Sequence, residues 1–166
     1  GDAIHLTAFY PGSDKLQVWD CHENRRDGSD FRDAATGKVK FQIPSNEDVG
    51  RCMAADIDPT NPGLEMWSAD SKGLRNVKGE ILKGRVRSIN FGIWWDGDLL
   101  RELLDHERVL KYDWKAGRTY TLMQLKNCKF NNGTKSNPCL SADILGDWRE
   151  EILTRDEASS ELRLYV

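Results

Sequence analysis

One pattern constrains this chain above all others: a Gly-Asp turn, three further residues, then Glu and an aliphatic pair, met more than once. The clearest copies are Gly97-Asp98-Leu99-Leu100-Arg101-Glu102-Leu103-Leu104 and Gly146-Asp147-Trp148-Arg149-Glu150-Glu151-Ile152-Leu153. A looser copy runs from Ala55-Asp56-Ile57-Asp58-Pro59 through Asn61-Pro62-Gly63 to Glu65-Met66-Trp67. The loosest joins Pro11-Gly12-Ser13-Asp14 to Leu16-Gln17-Val18-Trp19. With Gln17, Glu65, Glu102 and Glu151 as equivalents, the intervals are about 48, 37 and 49 residues, close to the length of propeller blades. Their unevenness implies loop insertions.

Each copy is followed by further short segments with turn chemistry between them. Phe31-Arg32-Asp33 leads through Thr36-Gly37-Lys38 to Val39, and Leu74-Arg75-Asn76 leads through Lys78-Gly79 to Glu80-Ile81. Val109 to Trp114 and Leu162 to Val166 have the same character, and all read as strands at hairpin spacing. Only Asp98 to Arg108 also suits an amphipathic helix, and its match to the Glu151-Ile152-Leu153 copy favours a strand. Repeats of this kind bury their faces against their neighbours. The expectation is therefore an all-β chain, a partial β-propeller, with residues 1–166 a fragment of one domain holding roughly three and a half to four blades. Such an arc has open flanks, and its missing blades are expected elsewhere in a parent chain.

Composition excludes several classes. Lys and Arg total 24 against 27 Asp and Glu, so a net charge of -3 gives no pull toward nucleic acid or an anionic membrane. No apolar run is long enough to span a bilayer, and the first residues have neither the basic nor the apolar region of a signal peptide. Cys21, Cys52, Cys128 and Cys139 form no Cys-x-x-Cys pair, which disfavours structural zinc. A disulfide between Cys128 and Cys139 is one reading of the spacing.

The acidic turns suggest a hard cation, because calcium takes six to eight oxygen ligands and clustered carboxylates beside a turn supply them. Three sets qualify: Asp56, Asp58 and Glu65; Asp96, Asp98 and Glu102; Asp143, Asp147 and Glu151. Their spacing is not that of the helix-loop-helix calcium loop. The competing reading is turn capping, with Arg101 or Arg149 as ion-pair partners.

Longer runs make the pattern specific. Gly1 to His5, Trp19 to Glu23, Asp48 to Arg51, Met53 to Pro59, Asn90 to Asp98, Asn131 to Lys135 and Cys139 to Glu151 together resemble rhamnogalacturonan lyases of polysaccharide lyase family 11, nearly end to end. The resemblance implies about half of an eight-bladed propeller, from its C-terminal portion, and an extracellular or periplasmic location. It implies cleavage of rhamnogalacturonan I, a pectic polysaccharide, by calcium-assisted β-elimination: a base removes the C5 proton of galacturonate and the C4 oxygen leaves.

Residue by residue, the resemblance assigns Lys135 as the base and Arg51 as the group that meets the uronate or assists proton transfer. Asn132, Gly133 and Thr134 resemble ligands of the active-site calcium, and Asp2 and Glu23 those of a second cleft calcium, with His5 and His22 as sugar contacts. Local chemistry alone reads Asn131 to Lys135 as an Asn-Gly turn and Arg51 as a solvated surface residue. Further family ligands would precede Gly1 and follow Val166, so weak or no turnover is expected of these residues alone. A non-catalytic calcium-binding propeller module and a two-carboxylate hydrolase are the alternatives.

Overall fold

The computed structural model describes residues 3–70 and 72–166. Their regular structure is four antiparallel sheets, in chain order, with no α-helix among the described residues. The first sheet is β1 (Ile4–Thr7), β2 (Gln17–Cys21), β3 (Ser29–Asp33) and β4 (Val39–Ile43), each paired with the next. The second is β5 (Cys52–Ala55) and β6 (Glu65–Ser68), extended by isolated bridges from Met66 to Arg75 and from Arg75 to Ile81. The third is β7 (Phe91–Ile93), β8 (Glu102–Asp105), β9 (Arg108–Asp113) and β10 (Arg118–Gln124), and the fourth is β11 (Leu140–Ala142), β12 (Glu151–Arg155) and β13 (Leu162–Tyr165). The stretch with helical character, Asp98 to Arg108, is a turn followed by β8 and its hairpin, as the repeat required.

Sequence repetition has a physical cause. Gln17, Glu65, Glu102 and Glu151 each open the second strand of their sheet, and all four are buried. Each turns its side-chain oxygen back onto the preceding loop. Glu65 Oε2 accepts from the N–H groups of Ile57 and Asp58, Glu102 Oε2 from Trp95 and Asp96, and Glu151 Oε2 from Ile144 and Leu145, all between 2.8 and 3.2 Å. Gln17 Oε1 accepts from Phe9 N–H at 3.0 Å, so the loosest copy uses the same device without the charge. Loop donors that would otherwise be buried unpaired gain a partner.

The apolar residues place the sheets in series. Trp19, Phe31 and Ile43 of the first sheet pack with Cys52 and Met66 of the second. Met53, Ala55 and Trp67, alternating along the same two strands, pack instead with Leu103 and Tyr112 of the third. Ile93, Leu104 and Val109 of the third then pack with Ile152 of the fourth. Indole donors stitch the series: Trp19 Nε1 to Trp67 O at 3.3 Å, and Trp67 Nε1 to Ser88 O at 2.7 Å. The inner strands β6 and β8 are consequently buried along their whole length.

Candidate functional site

Strand direction sorts the candidate residues onto two ends of the stack. Arg51 immediately precedes β5, Asn90 precedes β7, and Asn131 to Cys139 precede β11. The acidic turns follow the same three strands: Asp56 after β5, Asp96 after β7 and Asp143 after β11. A four-residue strand such as β5 separates its two ends by about 13 Å. The Arg51 end and the acidic end are therefore distinct places.

At the Arg51 end three sheets converge. Arg51 Nη1 donates to Asn90 Oδ1 and, at 3.4 Å, to the Thr134 carbonyl. Asn90 Nδ2 donates to the same carbonyl at 3.1 Å and to the buried Asp105 carboxylate. Thr134 lies in a single 3-10 turn, Gly133–Lys135, pinched at its base by the mutual Asn131 and Asn137 backbone bonds at 2.7 and 2.9 Å. Asn132 and Ser136 flank it in the left-handed region, and Lys135 stands exposed beside Thr134. The local expectation of a turn is thus right, but the turn is docked onto Arg51 and Asn90 instead of standing free.

Three residues of this cluster, Asn90, Asp105 and His106, are not among the candidates singled out from the sequence. Asn90 is legible only as the positional equivalent of Arg51, one residue ahead of the first strand of its sheet. Asp105 and His106 belong to the β8–β9 hairpin tip, where His106 and Glu107 both have positive φ, 48° and 54°. His106 Nδ1 lies 2.8 Å from Asp105, and Ser136 Oγ accepts from His106 N–H at 2.9 Å. Neither His nor Glu marks such a turn in sequence, where Asn-Gly is the usual sign.

The remaining candidates of this end are spread over the first sheet. His5 Nε2 bonds Cys52 O at 3.1 Å, and burial outweighs that bond to lower its pKa, keeping the ring neutral. His22 Nε2 meets the buried Asp30 carboxylate at 2.7 Å, so each histidine already has a partner in the protein. Glu23 is exposed, and its Oε1 together with Asp48 Oδ1 borders Gly50, at 3.5 and 3.2 Å from where a Cβ would stand. Asp2 lies outside the described residues.

The three acidic sets prove chemically different. Asp96, Asp98 and Glu102 converge closely enough to hold a metal ion. A lysine from the next strand already stands among them: Lys111 Nζ pairs with Asp96, with Asp98 at 2.6 Å and with Glu102 at 2.9 Å. Burial opposes the Lys111 charge, yet its bonds to the three carboxylates outweigh burial and raise its pKa. In the third set the Asp143 carboxylate accepts from the N–H groups of Gly146, Asp147 and Trp148, and Arg149 holds Asp147 at 2.5 Å. These bonds occupy the Asp143 and Asp147 carboxylates in the manner of a capped turn.

Among the described residues no such cation pairs with the first set. Glu65 is fully buried, its Oε1 has no hydrogen-bond partner, and burial pushes its pKa up to about 8. Burial also raises Asp56, with Asp58 adding repulsion. Asp58 is itself buried and accepts from Thr60. An unpaired buried carboxylate oxygen beside two more acids is an environment a hard cation would relieve. All four cysteines are free thiols in this structure, and the Cys128–Cys139 reading is corrected because Cys128 is buried, its thiol donating to the Leu125 carbonyl, while Cys139 is exposed.

Residues 1–166 match the C-terminal domain of rhamnogalacturonan lyase family 11. The chain is 50% identical over its whole length to the rhamnogalacturonan endolyase YesW of Bacillus subtilis, covering 27% of that protein. It is 42% identical to the rhamnogalacturonan exolyase YesX of the same organism, covering 30% of it. The crystal structure of YesW superposes with a TM-score of 0.94 and that of YesX with 0.93, across the whole chain and under a third of each relative. A Bacillus licheniformis rhamnogalacturonan lyase superposes with a TM-score of 0.89 at 48% identity.

Proposed function

Because the chain belongs to rhamnogalacturonan lyase family 11, we propose that it forms part of a β-propeller lyase that cleaves rhamnogalacturonan I by β-elimination at galacturonate. The chain spans under a third of the curated relatives it matches, so the whole activity is assigned to a parent enzyme that includes these residues. Those relatives are named as lyases, which gives the non-catalytic alternative no support. The serial stacking of four sheets supports a propeller arc, and an extracellular or periplasmic location accords with a polymeric substrate.

The observation that carries the reading is the convergence of Arg51, Asn90 and Thr134 from successive sheets, with Lys135 exposed beside them. Arg51 brings a guanidinium beside that turn, a group suited to a uronate carboxylate. Asn90 and Asp105 hold that guanidinium and the Thr134 carbonyl in register, so the turn that presents Lys135 cannot drift from Arg51. Lys135 Nζ then takes the C5 proton, which lies next to the carboxylate that Arg51 engages. Proton loss there builds charge on an already negative group, and calcium, when bound, would supply the positive charge that stabilises it.

Asn132, Gly133 and Thr134, in the turn that carries Lys135, would hold that ion, and Glu23, beside Asp48, would serve a second cleft ion with Asp2. At the opposite end Asp56, Asp58 and Glu65 would hold a structural calcium, as the orphaned Glu65 oxygen suggests. The same role for Asp96, Asp98 and Glu102 would require Lys111 to move aside, and for Asp143, Asp147 and Glu151 would require the Asp143 turn to open.

Substituting Lys135→Ala in the full-length parent tests the catalytic assignment. Formation of the unsaturated uronate, followed by absorbance, should fall at least about a hundredfold, the lower range for a lost general base. Unchanged product formation would remove Lys135 from the mechanism, and a saturated product would indicate hydrolysis instead.

A further inference from the structure

Two of the four cysteines meet where the first and second sheets join. Cys21 is the last residue of β2 and Cys52 the first of β5, and both are fully buried in the same apolar cluster. Their thiols point at one atom: Cys21 Sγ donates to the Ala3 carbonyl at 3.6 Å and Cys52 Sγ to the same oxygen at 3.5 Å. Each thiol also engages the other.

From this placement we infer that Cys21 and Cys52 form a disulfide that staples the first sheet to the second when the chain folds under oxidising conditions. The bond would join strands of different sheets that no backbone ladder connects. It would close a loop containing β3 and β4, a length at which a cross-link restricts the unfolded chain substantially. Its consequence reaches the site. His22 and Glu23 follow Cys21 directly, Arg51 precedes Cys52 directly, and His5 bonds the Cys52 carbonyl. One covalent bridge would fix the relative positions of the two strand ends that carry these side chains.

The chemistry balances with a small-molecule disulfide as oxidant. One thiolate attacks the reagent, forming a mixed disulfide and releasing one reagent thiol; the second thiolate attacks the protein sulfur of that mixed disulfide and expels the other. One sulfur–sulfur bond breaks and one forms overall. The two cysteine sulfurs are oxidised, the reagent is reduced, and the two cysteine protons pass to the released thiols. Buried thiols are inert, so the exchange belongs to folding, before the sheets close.

The test uses the full-length parent, refolded with oxidised glutathione, unfolded in iodoacetamide and digested without reductant. Cys21 and Cys52 should appear unalkylated in one linked peptide pair, lighter by two hydrogens than the two reduced peptides, while Cys128 and Cys139 are alkylated. A reductant should lower the thermal midpoint by several degrees, and a Cys21→Ala, Cys52→Ala variant should not respond. Alkylation of both thiols, a link to any other cysteine, or a midpoint indifferent to reductant overturns the inference. Should the variant fail to fold, the oxidised and reduced forms of the unaltered protein still decide it.

Discussion

Lys111 and Glu65 show how one repeated acidic turn reaches different electrostatic solutions. Lys111 puts an ammonium among Asp96, Asp98 and Glu102, whereas Glu65, with no cation paired to it among the described residues, has a strongly raised pKa. Lys111→Met would keep most of the side-chain volume and leave three clustered carboxylates unneutralised. Its expected cost is about 3–5 kcal/mol, the range for breaking a buried pair from one side. Millimolar calcium should recover part of that loss, since the ligand oxygens are then free, and chemical denaturation with and without calcium reads both effects. His5 gives the pH counterpart. Its folded pKa is lowered, so its unfolded form binds more protons below the ordinary value of 6.5. The neutral ring's contribution is complete above pH 6.5 and is lost as pH falls through the folded value. The drop in thermal midpoint on acidification should therefore be smaller in a His5→Gln variant. A matching drop would show that the buried ring does not titrate as described. The acids of these sets were legible as motifs, while Lys111 was not, because only the β8–β9 pairing brings it to them.

At the scale of elements, the repeat was legible because its physical core is a single side chain. Glu65, Glu102 and Glu151 each satisfy two loop N–H groups, and Gln17 satisfies one, from a position that opens a strand. Charge is secondary to the acceptor oxygen. Glu151→Ala should cost roughly 1–3 kcal/mol, because it removes the buried acceptor of the Ile144 and Leu145 N–H groups. Glu151→Gln keeps the oxygen and should cost under about 1 kcal/mol, the scale of a single net hydrogen bond. Equal losses in urea denaturation would show that the carboxylate's charge, not its acceptor geometry, holds the turn. Elements without such an anchor were harder to read. The third and fourth segments of the second sheet, Leu74-Arg75-Asn76 and Glu80-Ile81, shrink to isolated bridges at Arg75 and Ile81. The His106-Glu107 hairpin is held by partners distant in sequence, Ser136 for His106 and Phe130 for Glu107, so nothing local announces it.

On the molecular scale, the outer faces of the first and last sheets carry the argument for an arc within a larger ring. In β1 the residues Ile4 and Leu6 share one face and are 63% and 59% exposed. In β13 Leu162 and Leu164 share a face and are 67% and 44% exposed. The third sheet, inside the stack, holds residues of the same kind at zero exposure, as Leu103 and Leu104 do. An open apolar groove of about 720 Å³, lined in part by Leu6, Leu16 and Val18, marks the outer side of the first sheet. The same residues should thus behave in opposite ways in two contexts. Made alone, the 166-residue chain should self-associate through these faces, and Leu6→Ser with Leu164→Ser should shift it toward monomer in sedimentation velocity. In the full-length parent each substitution should instead destabilise by about 2–5 kcal/mol, as truncation of a core leucine does. A parent indifferent to both would mean that no further sheet covers these faces, and the partial-propeller reading would fail with it.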